Sequence, residues 1–136
     1  MKFLLDTNVC IAIINGNPGV VRERVQKELR AGSEIQLSSI ALFELWYGVS
    51  KSRDVSGNTR KLQSFLAGPV TVLAFDLEDA AAAGEIRADA ERVGKPIGAY
   101  DILIAGQSLR RKCTLVTANV REFSRIPGLI WQDWAK

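Results

Sequence analysis

The sequence predicts an α/β protein with three layers, in which helices cover both faces of a mainly parallel sheet. Short apolar runs that are typical of buried strands alternate with longer segments of helical character. This alternation favours parallel strands joined by helical crossovers. We expect one domain over residues 1–136, because a chain of this length can form a single hydrophobic core.

The first three elements are predicted as a strand and two helices. Residues 3–5 are an uninterrupted apolar run, which indicates a buried strand, and residues 9–14 indicate a short helix. Asn17 is expected to cap a second helix, with Pro18 at its first position. Apolar residues recur every fourth position in that segment until Gly32, as in a helix that packs with one face on a sheet.

The next four segments complete the first half of the chain. Residues 34–38 predict a strand, and Ser39 is expected to cap a helix over residues 40–49. Residues 52–58 are polar and contain glycine, so we expect a mobile loop there. Residues 59–66 then predict a short helix.

The second half alternates strands with two longer helices. The predicted elements are a strand at residues 70–75, helices at 77–93 and 99–111, and strands at 114–118 and 129–131. Asp76 and Asp79 are interpreted as caps and not as ligands. Arg110, Arg111 and Lys112 predict a cationic helix end, with nucleic-acid contact as the alternative.

Composition narrows the possible chemistry. The chain has no histidine, which excludes His-based triads, His-based ribonuclease chemistry and nearly all familiar zinc sites. Cys10 and Cys113 are interpreted as reduced, buried side chains. Lysine and arginine number 18 against 15 acids, a net charge of +3. If several acids gather in one site, the rest of the surface is basic enough for a polyanionic partner.

No segment predicts a membrane span or a secretion signal. The longest apolar stretches are far too short to cross a bilayer. The first residues reach the carboxylate of Asp6 too early for the apolar region of a signal peptide. We therefore expect a cytoplasmic protein that makes no membrane contact.

Polar residues are predicted to converge at one edge of the sheet. Asp6 and Asn119 follow two predicted strands, Glu44 lies on the helix after the second strand, and Asp101 opens a later helix. Ligands of open parallel sheets bind outside the carboxyl ends of the strands. Converging acids without lysine partners repel one another. A divalent ion relieves that repulsion, and an all-oxygen site suits Mg²⁺ or Mn²⁺. Without a cation, at least one of these carboxyl groups should have a raised pKa.

Each of these residues also has a purely structural interpretation. Asp6 or Asn8 could cap the helix that follows. Asp101 could complement a helix dipole, and Asn119 could be a turn residue. Glu122 could be solvated, as most glutamates are. Spacing alone leaves both interpretations open.

The aromatic segment around Glu44 predicts an interaction surface. Phe43, Trp46 and Tyr47 form an apolar group that we expect to receive a partner helix or a second copy of the chain. The alternative is that Trp46 belongs to the core, as we also expect for Trp131 and Trp134.

Four motifs, taken in order, resemble those of the PIN domain. They are residues 5–8 (LDTN), 38–48 (SSIALFELWYG), 98–106 (GAYDILIAG) and 116–123 (VTANVREF). Residues 125–134 resemble the tail of VapC toxins. The resemblance covers essentially the whole chain.

The resemblance implies an activity and partners. VapC-like PIN proteins are toxins of type II toxin–antitoxin modules and Mg²⁺- or Mn²⁺-dependent endoribonucleases. It therefore implies hydrolysis of RNA, with a tRNA anticodon stem-loop as the expected target and inhibition of translation as the effect. It also implies a homodimer and a complex with a VapB-type antitoxin.

The resemblance also implies roles for individual residues. Asp6, Glu44 and Asp101 are expected to be catalytic and to bind the metal, and Asn119 takes a catalytic position at which many PIN domains have Asp. Residues expected to support the carboxylates are Thr7, Ser39, Thr117 and Glu122. Candidates for RNA phosphate contacts are Lys51, Arg53, Arg121 and Arg125.

Two other functions remain open from the sequence. A non-catalytic binding module of the same fold is disfavoured because the full acidic set is present. A receiver-like phosphoacceptor domain, or another phosphohydrolase, is disfavoured because only Asp6 stands where a receiver fold needs an acidic pair.

Overall fold

The computed structural model describes residues 1–136 as a five-stranded sheet and seven helices. The strands are β1 (Lys2–Leu5), β2 (Glu34–Ser38), β3 (Thr71–Leu73), β4 (Thr114–Val116) and β5 (Trp131–Gln132). The helices are α1 (Thr7–Asn15), α2 (Gly19–Arg30), α3 (Ser39–Ser50), α4 (Val55–Leu66), α5 (Leu77–Arg92), α6 (Ala99–Arg110) and α7 (Val120–Phe123). No helix is both long enough and apolar enough to span a membrane.

The sheet is parallel, as predicted, and its strand order is β3-β2-β1-β4-β5. The central strand β1 pairs Leu5 with Leu37 of β2 on one side and with Val116 of β4 on the other. The chain leaves β1 towards β2 and later returns to β1's other side. The carboxyl ends of β1, β2 and β4 therefore border a crevice, which is where open α/β sheets bind ligands.

The core lies on both faces of β1. Phe3, Leu4 and Leu5 are all fully buried, which is expected of a parallel strand covered by helices on both sides. Cys10 and Cys113 are free and buried, as predicted. Residues 3–5 of β1 therefore show no alternation of apolar and polar side chains.

Two predicted helix caps are wrong. Asn17 does not cap α2, which begins after Pro18 without a side-chain cap bond. α3 is capped by Ser38 and not by Ser39, because Ser38 Oγ accepts a hydrogen bond from the backbone N of Ile40 at 3.0 Å. Either serine could cap a helix. Because the pairing of β2 with β3 extends to Ser38, Ser38 is the last residue of the strand and the cap of α3.

The predicted mobile loop at residues 52–58 is also wrong in its second half. α4 already begins at Val55, because Asp54 accepts a hydrogen bond from the backbone N of Gly57 at 2.9 Å and so caps the helix. The one-turn helix α7 was not predicted. Its polar sequence lacks the apolar period that identifies longer helices.

Helix α6 is held tightly against α5. A Cβ atom on Gly106 would lie 2.6 Å from the backbone N of Ala83, so only glycine permits this approach. Asp76 and Asp79 form the predicted cap at the start of α5. The buried Asp79 also accepts hydrogen bonds from Arg110 and Arg111 at 2.7 and 3.0 Å.

This ion-pair network leaves the predicted cationic end of α6 in place and disfavours the alternative of nucleic-acid contact for Arg110 and Arg111. Arg110 and Arg111 bind the acids of the α5 cap and are not available as a free cationic surface, whereas Lys112 is exposed. The network fixes the carboxyl end of α6, and the opposite end of the same helix carries Asp101.

Candidate active site

Four acidic side chains meet at the carboxyl edge of the sheet. Asp6 follows β1, Glu44 lies on α3, Asp101 lies in the first turn of α6, and Glu122 lies on α7. The charges of Glu122, Asp6 and Glu44 all act on the carboxyl group of Asp101. Residues separated by up to 116 positions in the sequence are therefore brought into one cluster by the crossovers of the sheet.

Asp6 is buried, with 5% of its surface exposed. Its Oδ1 accepts a hydrogen bond from the backbone N of Val9 at 3.1 Å, and its Oδ2 accepts one from Thr117 Oγ1 at 2.5 Å. Burial raises the pKa of Asp6, although these hydrogen bonds act in the opposite direction. Asp6 thus caps α1, as its structural interpretation predicted, and also belongs to the acidic cluster.

Two threonines hold the carboxylates in position. Thr117 is fully buried, and its Oγ1 both donates to Asp6 and accepts from the backbone N of Asn119 at 2.9 Å. Thr7 Oγ1 donates to Glu44 Oε1 at 2.7 Å. Because a threonine hydroxyl on a helix or strand has few rotamers, these bonds restrict the orientation of both acids.

Ser39 does not take the predicted supporting role. Its Oγ accepts a hydrogen bond from the backbone N of Phe75 at 3.0 Å and joins α3 to the segment after β3. The one-residue shift of the α3 cap is the reason, because it leaves Ser39 on the side of the helix that faces β3.

Asn119 bridges two acids. Its Nδ2 donates to Asp101 Oδ2 and to Glu122 Oε2, each at 3.1 Å. Burial, a hydrogen bond to Glu122 and the charge of Glu122 together raise the pKa of Asp101 to about 7. The same hydrogen bond, donated by the Asp101 carboxyl, lowers the pKa of Glu122. These opposite shifts favour a proton on Asp101, and not on Glu122, at a pH below about 7.

Glu122 has a larger role than the sequence predicted. We expected it to support the other carboxylates, and the structure makes it the direct partner of Asp101. One helical turn separates Glu122 from Asn119, so the two side chains can point to the same place only if residues 120–123 are helical. Because the sequence analysis did not predict α7, it did not predict that Glu122 and Asn119 lie on the same side of a helix.

No lysine or arginine forms an ion pair with these four acids. The eight ion pairs of the protein all involve other carboxylates. Arg125 contributes charge near Glu122. The four candidate RNA contacts, Lys51, Arg53, Arg121 and Arg125, are all exposed.

The acids do not form a preformed metal-binding site, because no three of them are close enough to one another to bind the same ion. Their chemistry nevertheless fits a hard divalent cation: every potential donor is an oxygen, and the acids lack a protein cation. The pKa of Asp101 near 7 indicates that the cluster resists full ionisation at neutral pH. A bound cation would lower the pKa of Asp101 again, because it favours the ionised carboxylate.

Comparison with known proteins agrees with this geometry. Residues 3–129 match the PIN domain family. The chain is 41% identical over 135 residues, 99% of each chain, to the tRNA(fMet)-specific endonuclease VapC of Shigella flexneri.

Two solved structures share the whole fold. One is VapBC2 from Rickettsia felis bound to a promoter DNA fragment, with a TM-score of 0.92, 38% identity and coverage of 98% of this chain and 99% of that one. The other is DNA-bound VapBC from Salmonella typhimurium, with a TM-score of 0.90, 41% identity and 98% coverage of both chains. The chain therefore belongs to the PIN-domain family, among its VapC ribonucleases.

Proposed function

We propose that this protein is the toxin of a type II toxin–antitoxin module and an endoribonuclease that hydrolyses RNA with the help of a divalent cation. The observation that carries the proposal is the group of four converging acids without a cationic partner. The pKa of Asp101 is raised to about 7, first by burial, then by the hydrogen bond and the charge of Glu122, and further by the charges of Asp6 and Glu44. A site of this kind suits a polyanionic substrate only when a cation offsets its own charge.

Asp6, Glu44, Asp101 and Glu122 would hold the cation, and Mg²⁺ or Mn²⁺ fits their oxygen donors. When bound, such an ion activates water and screens the charge that develops on a phosphate. Glu122 replaces the acid that many PIN domains have at the position of Asn119. The fourth negative charge is thus kept, one helical turn later.

The remaining groups of the site position these acids. Glu44, which accepts a hydrogen bond from Thr7, would orient the attacking water or share the metal. Asn119 donates to two carboxylates and keeps Asp101 beside Glu122. Attack by water on the phosphodiester leaves a 5′-phosphate and a 3′-hydroxyl, so no histidine and no ribose 2′-hydroxyl is needed as a nucleophile.

We propose a tRNA as the substrate, cut in its anticodon stem-loop. The relative from Shigella flexneri is named as specific for tRNA(fMet), and its similarity covers 99% of this chain. The initiator tRNA is therefore the first substrate to test. Loss of that tRNA would inhibit translation.

We propose that an antitoxin of the VapB type neutralises the protein by covering a groove between α1, α3 and α4. Ile11, Ile14, Leu45 and Val49 line this groove, and Glu44 lies at its border. A partner helix with apolar side chains would fill it and at the same time obstruct the acidic cluster. Trp46 is not part of this exposed surface, because it packs against the core.

The proposed activity is tested by incubating the purified protein with initiator tRNA and with an elongator tRNA, in Mg²⁺ and in EDTA. We expect cleavage of the initiator tRNA at one position in Mg²⁺ only, with 5′-phosphate ends at the cut. Products with 2′,3′-cyclic phosphate, or equal cleavage in EDTA, would contradict metal-assisted attack by water.

A further inference from the structure

Three exposed aromatic rings lie beside the acidic cluster. Phe43, Tyr47 and Tyr100 have exposed fractions of 53%, 60% and 47%. Phe43 directly precedes Glu44, and Tyr100 directly precedes Asp101. The Cα atom of each of these two aromatic residues is therefore about 3.8 Å from the Cα atom of an acid of the site. The rings of Phe43 and Tyr100 contact each other across α3 and α6, with centroids 5.6 Å apart and planes tilted by 57°.

A cation stands next to these rings. Lys51 follows Tyr47 by one helical turn, and its Nζ lies 4.9 Å from the centre of the Tyr47 ring. Its ammonium group carries no ion pair. Because the ammonium group covers one face of the Tyr47 ring, a base can stack only on the opposite face, and the charge of Lys51 remains close enough to attract the phosphate of that nucleotide.

We propose that Phe43, Tyr47 and Tyr100 form a stacking platform for unpaired nucleobases, and that Lys51 contacts the phosphate of a nucleotide bound there. This inference rests on the proposed hydrolysis of RNA and deepens it by naming the feature of the substrate that is recognised. A base within a duplex has both faces covered by its neighbours, so only unpaired or flipped bases can stack on these rings.

The tilt of the rings limits how a base can bind. Phe43 and Tyr100 touch each other and leave no gap for a base between them. Stacking must therefore use ring faces that are turned towards solvent, with Phe43 supporting Tyr100 from the side. Phe43 and Tyr100 directly precede Glu44 and Asp101 in the sequence, so the proposal places a stacked base on a nucleotide near the scissile phosphate.

The size and position of the platform favour RNA over a protein partner. The three rings expose on the order of 300 Å², whereas a specific protein interface takes about 800 Å² from each partner. Two of the rings directly precede acids of the cluster in the sequence, and Lys51 adds positive charge, which suits a polyanion. An antitoxin helix or a second copy on this surface remains the competing prediction, and the experiment below distinguishes it from RNA.

The experiment measures binding of a labelled, unpaired oligoribonucleotide and of the same sequence in a blunt duplex, with EDTA present to prevent cleavage. Tyr100→Leu and Tyr47→Leu remove the aromatic face and keep an apolar side chain, while Tyr100→Phe keeps the ring. Leu77→Ala, at an exposed leucine on α5, is the control for apolar surface in general. Light scattering gives the oligomer size of every variant.

We expect each leucine variant to bind the unpaired RNA about tenfold more weakly, and Tyr100→Phe and Leu77→Ala to bind it like the wild type. The duplex should bind more weakly than the single strand and should not distinguish the variants. Unchanged affinity of Tyr100→Leu for the unpaired strand would overturn the platform. A smaller oligomer for that variant would also overturn it, because the ring would then belong to an interface between copies.

The platform and the proposed hydrolysis fail in different ways. A wild-type protein that binds unpaired RNA through these rings in EDTA but does not cut it in Mg²⁺ would refute the hydrolysis and support the platform. A wild-type protein that cuts, together with a Tyr100→Leu variant that binds and cuts equally well, would support the hydrolysis and refute the platform.

Discussion

The carboxyl groups of Asp101 and Glu122 both contact the side-chain amide of Asn119, and Asp101, whose pKa is raised to about 7, can donate a hydrogen bond to Glu122 when it is protonated. Asn119 donates its amide hydrogens to both carboxyl groups. A proton on Asp101 and the amide of Asn119 thus stabilise the close approach of the two carboxyl groups in the absence of a cation. Its protonation is the property that links stability, pH and metal binding in this protein.

Stability without metal should fall as the pH rises from about 4 to about 7. Asp101 has an ordinary pKa of 3.8 in the unfolded chain and about 7 in the folded one, because burial and the hydrogen bond to Glu122 favour its protonated form. The folded protein therefore binds more protons across this interval, and folding is penalised as they are lost. Thermal melting in EDTA at pH 5 and pH 8 measures the difference.

Asp101→Asn provides the control for this pH dependence. The substitution leaves a neutral side chain that still can donate to Glu122, so the melting temperature should be equal or higher at pH 8 and should vary less with pH. A pH dependence identical to that of the wild type would show that another group is responsible.

Added Mg²⁺ should raise the melting temperature at pH 8 and raise it much less at pH 5. The ion binds the ionised carboxylates, so at pH 5 it must displace the proton from Asp101. For a chain of this size, each 1 kcal/mol of stabilisation raises the melting temperature by roughly 3–5 °C. Glu44→Gln should reduce the difference between the two pH values. A melting temperature unaffected by millimolar Mg²⁺ at pH 8 would mean that the ion enters only with RNA, and repeating the melt with a non-cleavable RNA would decide this.

Thr117→Val should destabilise the protein and impair the site. The substitution keeps the shape of a fully buried side chain but removes the donor to Asp6 and the acceptor for the backbone N of Asn119. Loss of such partners costs about 1–3 kcal/mol. Thr117→Ser keeps the hydroxyl and serves as the matched control in urea unfolding at pH 7. Equal stability of the two variants would argue against a role for the hydroxyl.

The partner surface can be tested with two arginine substitutions. Ile11 lines the groove between α1, α3 and α4 and is 42% exposed, so Ile11→Arg should fold and should weaken binding of the neighbour-encoded antitoxin. Trp46 packs against the core, so Trp46→Arg should instead lower the melting temperature. If Ile11→Arg binds the antitoxin as tightly as the wild type does, the antitoxin must bind to another surface.

The long elements and the parallel character of the sheet were predictable from sequence, whereas the strand order and the short elements were not. The apolar run of β1, the alternation of polar and apolar residues in β2 and the length of α5 are each strong sequence signals. The end of the segment at residues 52–58 looks like a loop because serine, glycine and asparagine are poor helix formers. A single cap by Asp54 and packing of Leu62 in the core decide in favour of a helix.

The site was predictable in its main acids but not in its hydrogen bonds. Asp6, Glu44 and Asp101 stand out because a carboxylate beside a strand end or on an apolar helix needs a partner. The role of Ser39 depends on which of two adjacent serines ends β2, which sequence alone does not decide. The role of Glu122 depends on a single helical turn too short to have a sequence signal.

The most direct test of the account is cleavage of initiator tRNA in Mg²⁺ by Asp101→Asn and Asp6→Asn, compared with Asp89→Asn. Asp89 is an exposed aspartate on α5 outside the acidic cluster, so its variant should cut like the wild type. We predict that both site variants lose at least about 100-fold in cleavage rate, while Asp101→Asn melts at the wild-type temperature or above. Mg²⁺-dependent cleavage by Asp101→Asn at the wild-type rate would contradict the assignment of the acidic cluster as the active site.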